Sequence, residues 1–164
     1  MNDSTEKKAP AKPRPADVSS PDAIIKAMYE TISGPAGKRN WYRMRGLFLE
    51  GARMIPTGKR AHKDKEDELQ VMSVDEWIED ATGYLEENDF YESEIMRKTH
   101  EYGNLVQAFS TYETRNDPEG APIARGINSI QLLNKDGRWW IVNVMWDNES
   151  RDNPIPEEFL PYLW

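Results

Sequence analysis

The chain has 164 residues, with 21 Lys and Arg against 29 Asp and Glu, a net charge of −8 at pH 7. It has no cysteine and two histidines, His62 and His100, which excludes disulfides, thiolate metal sites, thiol catalysis and a multi-histidine metal centre. So acidic a domain repels phosphate backbones, and nucleic acid is not an expected partner.

Residues 1–21 are rich in Pro, Lys, Ala and Ser and offer little to bury. They read as a disordered tail, with residues 22–164 as a single domain. The tail has no apolar h-region, and no run approaches the ~20 apolar residues of a membrane span. The expectation is a cytoplasmic protein with no membrane association. Ser20 followed by Pro21 is a helix start, a hydroxyl cap and then proline in the first turn. Ile24, Ile25, Met28, Tyr29 and Ile32 make one apolar stripe, and Gly34-Pro35 ends it. A second short helix is predicted from Asn40 through Trp41, Met44, Leu47 and Phe48. Residues 51–57 look like a short strand, residues 58–68 like a polar loop, and residues 69–72 like a return strand. Ser73 and Glu76 form a capping box that opens a helix carrying Trp77, Ile78, Ala81, Tyr84 and Leu85 on one face.

From Phe90 onward the period changes from helical to alternating. Strands are predicted at residues 90–101, 104–115, 123–134 and 138–147. The turns Tyr102-Gly103, Asn116 to Gly120 and Asn134 to Gly137 separate them, so the four form an antiparallel meander. Helices first and strands last give an α+β fold: N-terminal helices packed in a curved antiparallel sheet, a cone with one open mouth. The last segment, NPIPEEFLPYLW, is apolar enough to pack back on the domain.

The Gly103-Asn104 turn, the strands Ser110-Thr-Tyr-Glu113 and Arg125-Gly-Ile-Asn-Ser129, and above all Asp136-Gly-Arg-Trp-Trp-Ile-Val142 carry a resemblance. In these the chain resembles the nuclear transport factor 2-like superfamily, which includes SnoaL-like proteins, ketosteroid isomerase and scytalone dehydratase. The resemblance covers about residues 22–147. It implies a cystatin-like cone, an apolar pocket for a small apolar or aromatic ligand, and a homodimer through the sheet. The fold hosts enzymes, binders and dimerisation modules alike, so activity is left open.

Alternation along the last strand puts Trp139, Ile141, Asn143, Met145 and Asp147 on one face and Trp140, Val142, Val144 and Trp146 on the other. Pairing Leu133 with Arg138 would set Ile130 opposite Ile141 and Asn128 opposite Asn143. The first face then becomes the pocket wall and the second the dimer interface. In the second meander strand the small set Val106, Ala108, Ser110 and Tyr112 suits the concave side.

Related pocket enzymes use a carboxylate or histidine base with a phenol or amide as oxyanion donor. By that resemblance Asp147 is the candidate acid/base and Tyr112 a donor, giving cofactor-independent isomerisation, dehydration or cyclisation. Asn128, Asn143, Trp139, Ser110 and Met145 are the candidate ligand-binding residues. The structural alternatives are a strand-end Asp147 bonded to its turn, a self-satisfied Asn128–Asn143 pair, and a Tyr112 phenol with a buried partner. His100, on the parity of Glu92, Glu94, Met96 and Lys98, reads as exposed. His62 sits in the polar loop, so a histidine pair like that of scytalone dehydratase is not expected. No phosphate-binding glycine loop or nucleophile elbow is present, and no cofactor or metal is expected. Ligand binding without turnover is the leading expectation, with an enzyme and a non-catalytic dimerisation module as alternatives.

Overall fold

The computed structural model describes residues 11–58 and 69–162. Ser20 Oγ accepts the backbone N–H of Ala23 at 3.0 Å, and α1 (Pro21–Ile32) starts there. Its apolar stripe is buried, with Ile24, Ile25, Met28 and Tyr29 at most 5% exposed. The helix stops at Ser33, whose hydroxyl donates back to the Tyr29 carbonyl at 2.7 Å. Arg39 then staples the following loop. Its guanidinium donates to the carbonyls of Ile32, Gly34, Pro35 and Gly37 at 2.8–3.1 Å.

Asn40 caps α2 (Trp41–Arg45), which is shorter than predicted. Phe48 belongs instead to β1 (Phe48–Pro56), and the Leu47 carbonyl accepts the N–H of Ile141 at 2.9 Å. Sheet pairing at this point overrides the helical spacing, because Leu47 and Phe48 bury their side chains in the same step. Residues 69–72 contribute only a single bridge, Met72 to Met54, not a return strand. The capping box is half made: Ser73 accepts from Glu76 N–H at 3.1 Å and opens α3 (Val74–Glu87). Within α3, Ile78 and Leu85 are buried, whereas Tyr84 is exposed. Trp41 and Trp77 meet edge to face at 6.1 Å and pack partly buried against the core.

The meander follows as β2 (Tyr91–Tyr102), β3 (Leu105–Arg115), β4 (Ala124–Lys135) and β5 (Arg138–Asn148). Together with β1 these form a five-stranded sheet in the order β1-β5-β4-β3-β2. The meander is antiparallel as predicted, but β1 joins β5 in parallel, so the sheet is mixed. Helices α1 and α3 lie on one face, α1 touching β2 and β5 and α3 touching β1. This is an α+β fold with the core between helices and sheet. No described helix is long and apolar enough to cross a membrane.

Two bulges decide which side chains face the helices. The β4–β5 hairpin pairs Lys135 with Arg138 and Leu132 with Ile141, then Gln131 with Asn143 and Ile130 with Val144. Val142 is the extra residue, and every later side chain of β5 changes face. Trp139, Ile141, Val144 and Trp146 therefore turn inward. Asn143, Met145 and Asp147 turn outward, and Met145 is 40% exposed. Simple alternation placed the last three in the pocket wall, and the bulge is the physical reason they are not there. It also splits the expected dimer face, because Val144 is 2% exposed inside the core and Trp146 packs against it. A second bulge, at Ile95, separates Glu92 and Glu94 from Met96, Lys98 and His100. His100 is exposed, as expected, while the two glutamates face the helices.

The packed body reaches further toward the N-terminus than residue 22. A 3₁₀ turn at Pro15–Val18 buries Val18 and pairs Asp17 with Arg43 at 2.8 and 2.9 Å. The backbone N–H of Lys12 donates to the Tyr42 phenol at 3.0 Å. At the other end, the Phe159 ring lies 5.5 Å from that of Phe109 on the outer face of the sheet. Thr111 Oγ1 donates to the Phe159 carbonyl at 2.6 Å, and Glu158 pairs with Lys98 at 2.9 Å. Through Glu158 and Phe159 the segment packs back on the sheet.

Candidate functional site

Antiparallel pairing brings the start of β2, the end of β3, the start of β4 and the end of β5 to one end of the sheet. The register aligns Glu92 with Thr114, Glu94 with Tyr112, Ser110 with Asn128, and Asn128 with Trp146. All point to the helix side. The concave set predicted for β3 is observed there, with Val106, Ala108, Ser110 and Tyr112 all at most 3% exposed.

A chain of hydrogen bonds crosses this floor. Asn128 Nδ2 donates to the Tyr29 phenol at 3.0 Å. Tyr29 and Ser110 share a bond of 2.7 Å. Ser110 Oγ donates to Glu94, so the phenol of Tyr29 is the donor toward Ser110. Glu94 in turn takes both arms of Arg97 at 2.8 and 2.9 Å, and Arg97 continues to Asp22 at the surface. Every link has a partner, so Ser110 and Tyr29 are fixed in place rather than free for chemistry.

Glu92 sits beside this chain and differs from it. Thr114 Oγ1 donates to its carboxyl at 3.2 Å, and the Asn128 amide supports the charged form. Its backbone is held by Ser33, whose Oγ accepts the Glu92 N–H at 3.0 Å and lies 3.1 Å from the Glu92 carbonyl. No guanidinium or ammonium among the described residues pairs with it. Burial outweighs the two neutral donors and pushes the carboxyl up to about 7. The Tyr112 phenol is raised above the ordinary phenol range by burial, then by the charges of Glu92, Tyr29 and Asp147. Burial likewise raises Tyr29.

Tyr112 donates its hydroxyl to Asn148 and lies across Gly126. A Cβ at position 126 would stand 2.2 Å from the phenol oxygen and 2.5 Å from the Asp147 carbonyl. Glycine in the strand interior is what admits the ring.

Of the sequence candidates, Tyr112, Ser110 and Asn128 come together here. Trp139 is on the same face toward the opposite end, 8% exposed. Asn143 pairs with Gln131 rather than Asn128, so the expected amide pair does not form. Asp147 is exposed on the outer face, where Asn153 Nδ2 donates to it at 3.3 Å. Met145 is outside as well. His62 lies outside the described residues. Glu92, Tyr29 and Trp146 were not singled out as site residues from sequence. Gly126, opposite Tyr112, was the available signal for a close approach at this end. A separate groove of about 320 Å³ lies on the outside between α1 and the loop after it, lined by Ser33, Arg39, Asn40 and Arg43. Arg39 and Arg43 already hold loop carbonyls and carboxylates, so the groove is a by-product of the staple.

No protein-family model and no curated protein matches the chain. Solved structures do. A protein of unknown function with a cystatin-like fold from Nostoc punctiforme aligns with TM-score 0.58 and 8% identity, over 78% of this chain and 87% of that one. A nuclear transport factor 2-like protein of unknown function from Methylobacillus flagellatus aligns at 0.53 and 16%, over 80% and 95%. Another from Silicibacter pomeroyi aligns at 0.50 and 17%, over 78% and 92%. The chain has the nuclear transport factor 2-like fold.

Proposed function

We infer that the concave side of this nuclear transport factor 2-like fold binds a small molecule at the end of the sheet where Glu92, Tyr112, Thr114, Asn128 and Trp146 meet. One observation carries the reading. Glu92 is a carboxyl drawn in from water with only neutral donors around it among the described residues, at a cost in stability that a purely structural position would avoid. Phenol and indole rings beside it supply apolar area for a ligand body. Tyr112 and Asn128 remain proposed ligand contacts, and Ser110 is proposed to hold Tyr29 in position. Trp139 is proposed as part of the far wall. Asn143, Met145 and Asp147, on the outer face, are left out.

The test is a fragment screen read by methyl and aromatic NMR shifts on the wild type and on Glu92→Gln. Hits that move Thr114 and Tyr112 resonances in the wild type and weaken in the variant support the site. Hits that move only outer-face resonances would remove it.

A second reading is favoured by the same carboxyl. A group that titrates near 7 both takes and gives a proton at neutral pH, so Glu92 is suited to cofactor-independent proton transfer, with Tyr112 and Asn128 orienting the substrate. It replaces Asp147 as the proposed acid/base. Turnover of an enolisable carbonyl compound that falls by ~10²-fold or more in Glu92→Gln is the expected sign of it.

A further inference from the structure

This inference rests on the reading of the cone as a ligand site and asks what kind of ligand it takes. Three carboxylates around the same end of the sheet are matched to guanidinium groups, while Asp147, outside on β5, accepts from Asn153. Glu94 has Arg97, which also reaches Asp22; Glu113 has Arg115 at 2.8 Å; Glu149 has Arg125 at 2.9 Å. Glu92 is passed over, and among the described residues only Thr114 and Asn128 address its carboxyl oxygens. The groups facing it are Tyr29 from α1, Glu94 from β2, Tyr112 and Thr114 from β3, and Asn128 from β4. Asp147, on the outer side of β5, acts on Tyr112 and not on Glu92. None of these is a cation, and Arg97 is already held by two carboxylates. We propose that the ligand of this site is a small organic cation, an ammonium or amidinium on an apolar body, with its charge against Glu92 and its body against the rings of Tyr112 and Trp146.

The chemistry follows from the charges. An anionic ligand meets the Glu92 carboxylate with no cation among the described residues free to receive it. A neutral one leaves Glu92 without a counter-charge. A cation supplies the missing partner, gains from aromatic faces, and is drawn in by a chain of net charge −8. Because the cation binds the ionised carboxyl, binding below neutrality releases a proton from Glu92. Affinity therefore rises about tenfold from pH 6 to pH 8 for a carboxyl that titrates near 7.

Calorimetric titration with benzylamine, benzyl alcohol and benzoate at pH 6 and pH 8 tests this. Wild-type protein is compared with Glu92→Gln and with the exposed control Glu119→Gln. The expected result is benzylamine binding that strengthens about tenfold toward pH 8, is lost in Glu92→Gln, and is kept in Glu119→Gln, with benzyl alcohol and benzoate much weaker. Circular dichroism of Glu92→Gln confirms that its fold is intact. Benzyl alcohol binding as well as benzylamine would overturn the cationic assignment while leaving the cone a ligand site. Benzylamine binding unchanged by Glu92→Gln would place the amine on surface carboxylates and overturn it too. No binding of benzylamine overturns it, whatever the fragment screen finds for other chemistries.

Discussion

Replacing Glu92 by glutamine should make the protein more stable at pH 8, with a much smaller gain at pH 5. The native carboxyl titrates near 7 against an ordinary 4.5, so the folded state holds the proton more tightly than the unfolded chain. Between those two values the folded state binds more protons, and stability falls as pH rises. The contribution is fully present below about 4.5 and is lost once pH passes 7. The span of 2.5 pH units converts to ~3 kcal/mol at 1.36 kcal/mol per unit. Glu92 keeps some accessible area, and water reaching the carboxyl lowers this to ~1–3 kcal/mol. Glutamine keeps the shape and an oxygen for Thr114 while removing the charge. Urea denaturation of both proteins at pH 5, 6, 7 and 8 gives the difference curve, from which all other titrating groups cancel. A rise of ~1–3 kcal/mol in favour of the variant, centred midway between 4.5 and 7 and nearly complete by pH 7, is expected. A difference that stays flat across this range would refute the claim that Glu92 is a carboxyl without a counter-charge.

Three further outcomes follow from the packing. Gly126→Ala should lose ~1–3 kcal/mol or more, visible as a fall in Tm, because the new methyl meets the Asp147 backbone as well as the Tyr112 ring. Val144→Glu should abolish folding, read by circular dichroism, rather than yield a folded monomer, since position 144 is core and not interface. Arg39→Ala should cost ~2–3 kcal/mol in chemical denaturation by releasing four loop carbonyls, and Arg39→Lys should recover little, since an ammonium cannot reproduce the fork.

Much of the fold is written in local signals. Ser20-Pro21 and the Ser73 cap fix two helix starts to the residue. The Asp-Gly turn at 136–137 adopts positive φ at both residues, 55° and 72°, and sits at the predicted turn, but it pairs Arg138 with Lys135 rather than with the expected Leu133. Long-range pairing is less legible. Nothing in residues 41–48 announces that Phe48 will lie beside Ile141, because that partnership depends on a strand far along the chain. The facing of the end of β5 was lost to a single unannounced residue. Val142 is an ordinary strand residue, and a bulge there carries no glycine or turn signature, yet it decides that Val144 rather than Asn143 faces the core. The same holds for Ile95, which parts Glu92 from His100. β3 has no bulge, and its predicted concave side chains, Ser110 and Tyr112, are where alternation puts them.

The parallel pairing of β1 with β5 also has a meaning in time. During synthesis, residues 48–56 emerge long before Arg138–Asn148, the one strand among the described residues beside which they lie in the sheet. Until then Leu47 and Phe48, both buried at the end, have no sheet to join. The hairpins β2–β3 and β4–β5 can form early from near neighbours, whereas β1 must wait for the whole meander and close a loop of some ninety residues, Phe48 to Ile141. Docking of this edge is therefore the natural late step of folding. A nascent or truncated chain lacking β5 would present an unpaired apolar strand to whatever chaperone or neighbouring chain meets it first.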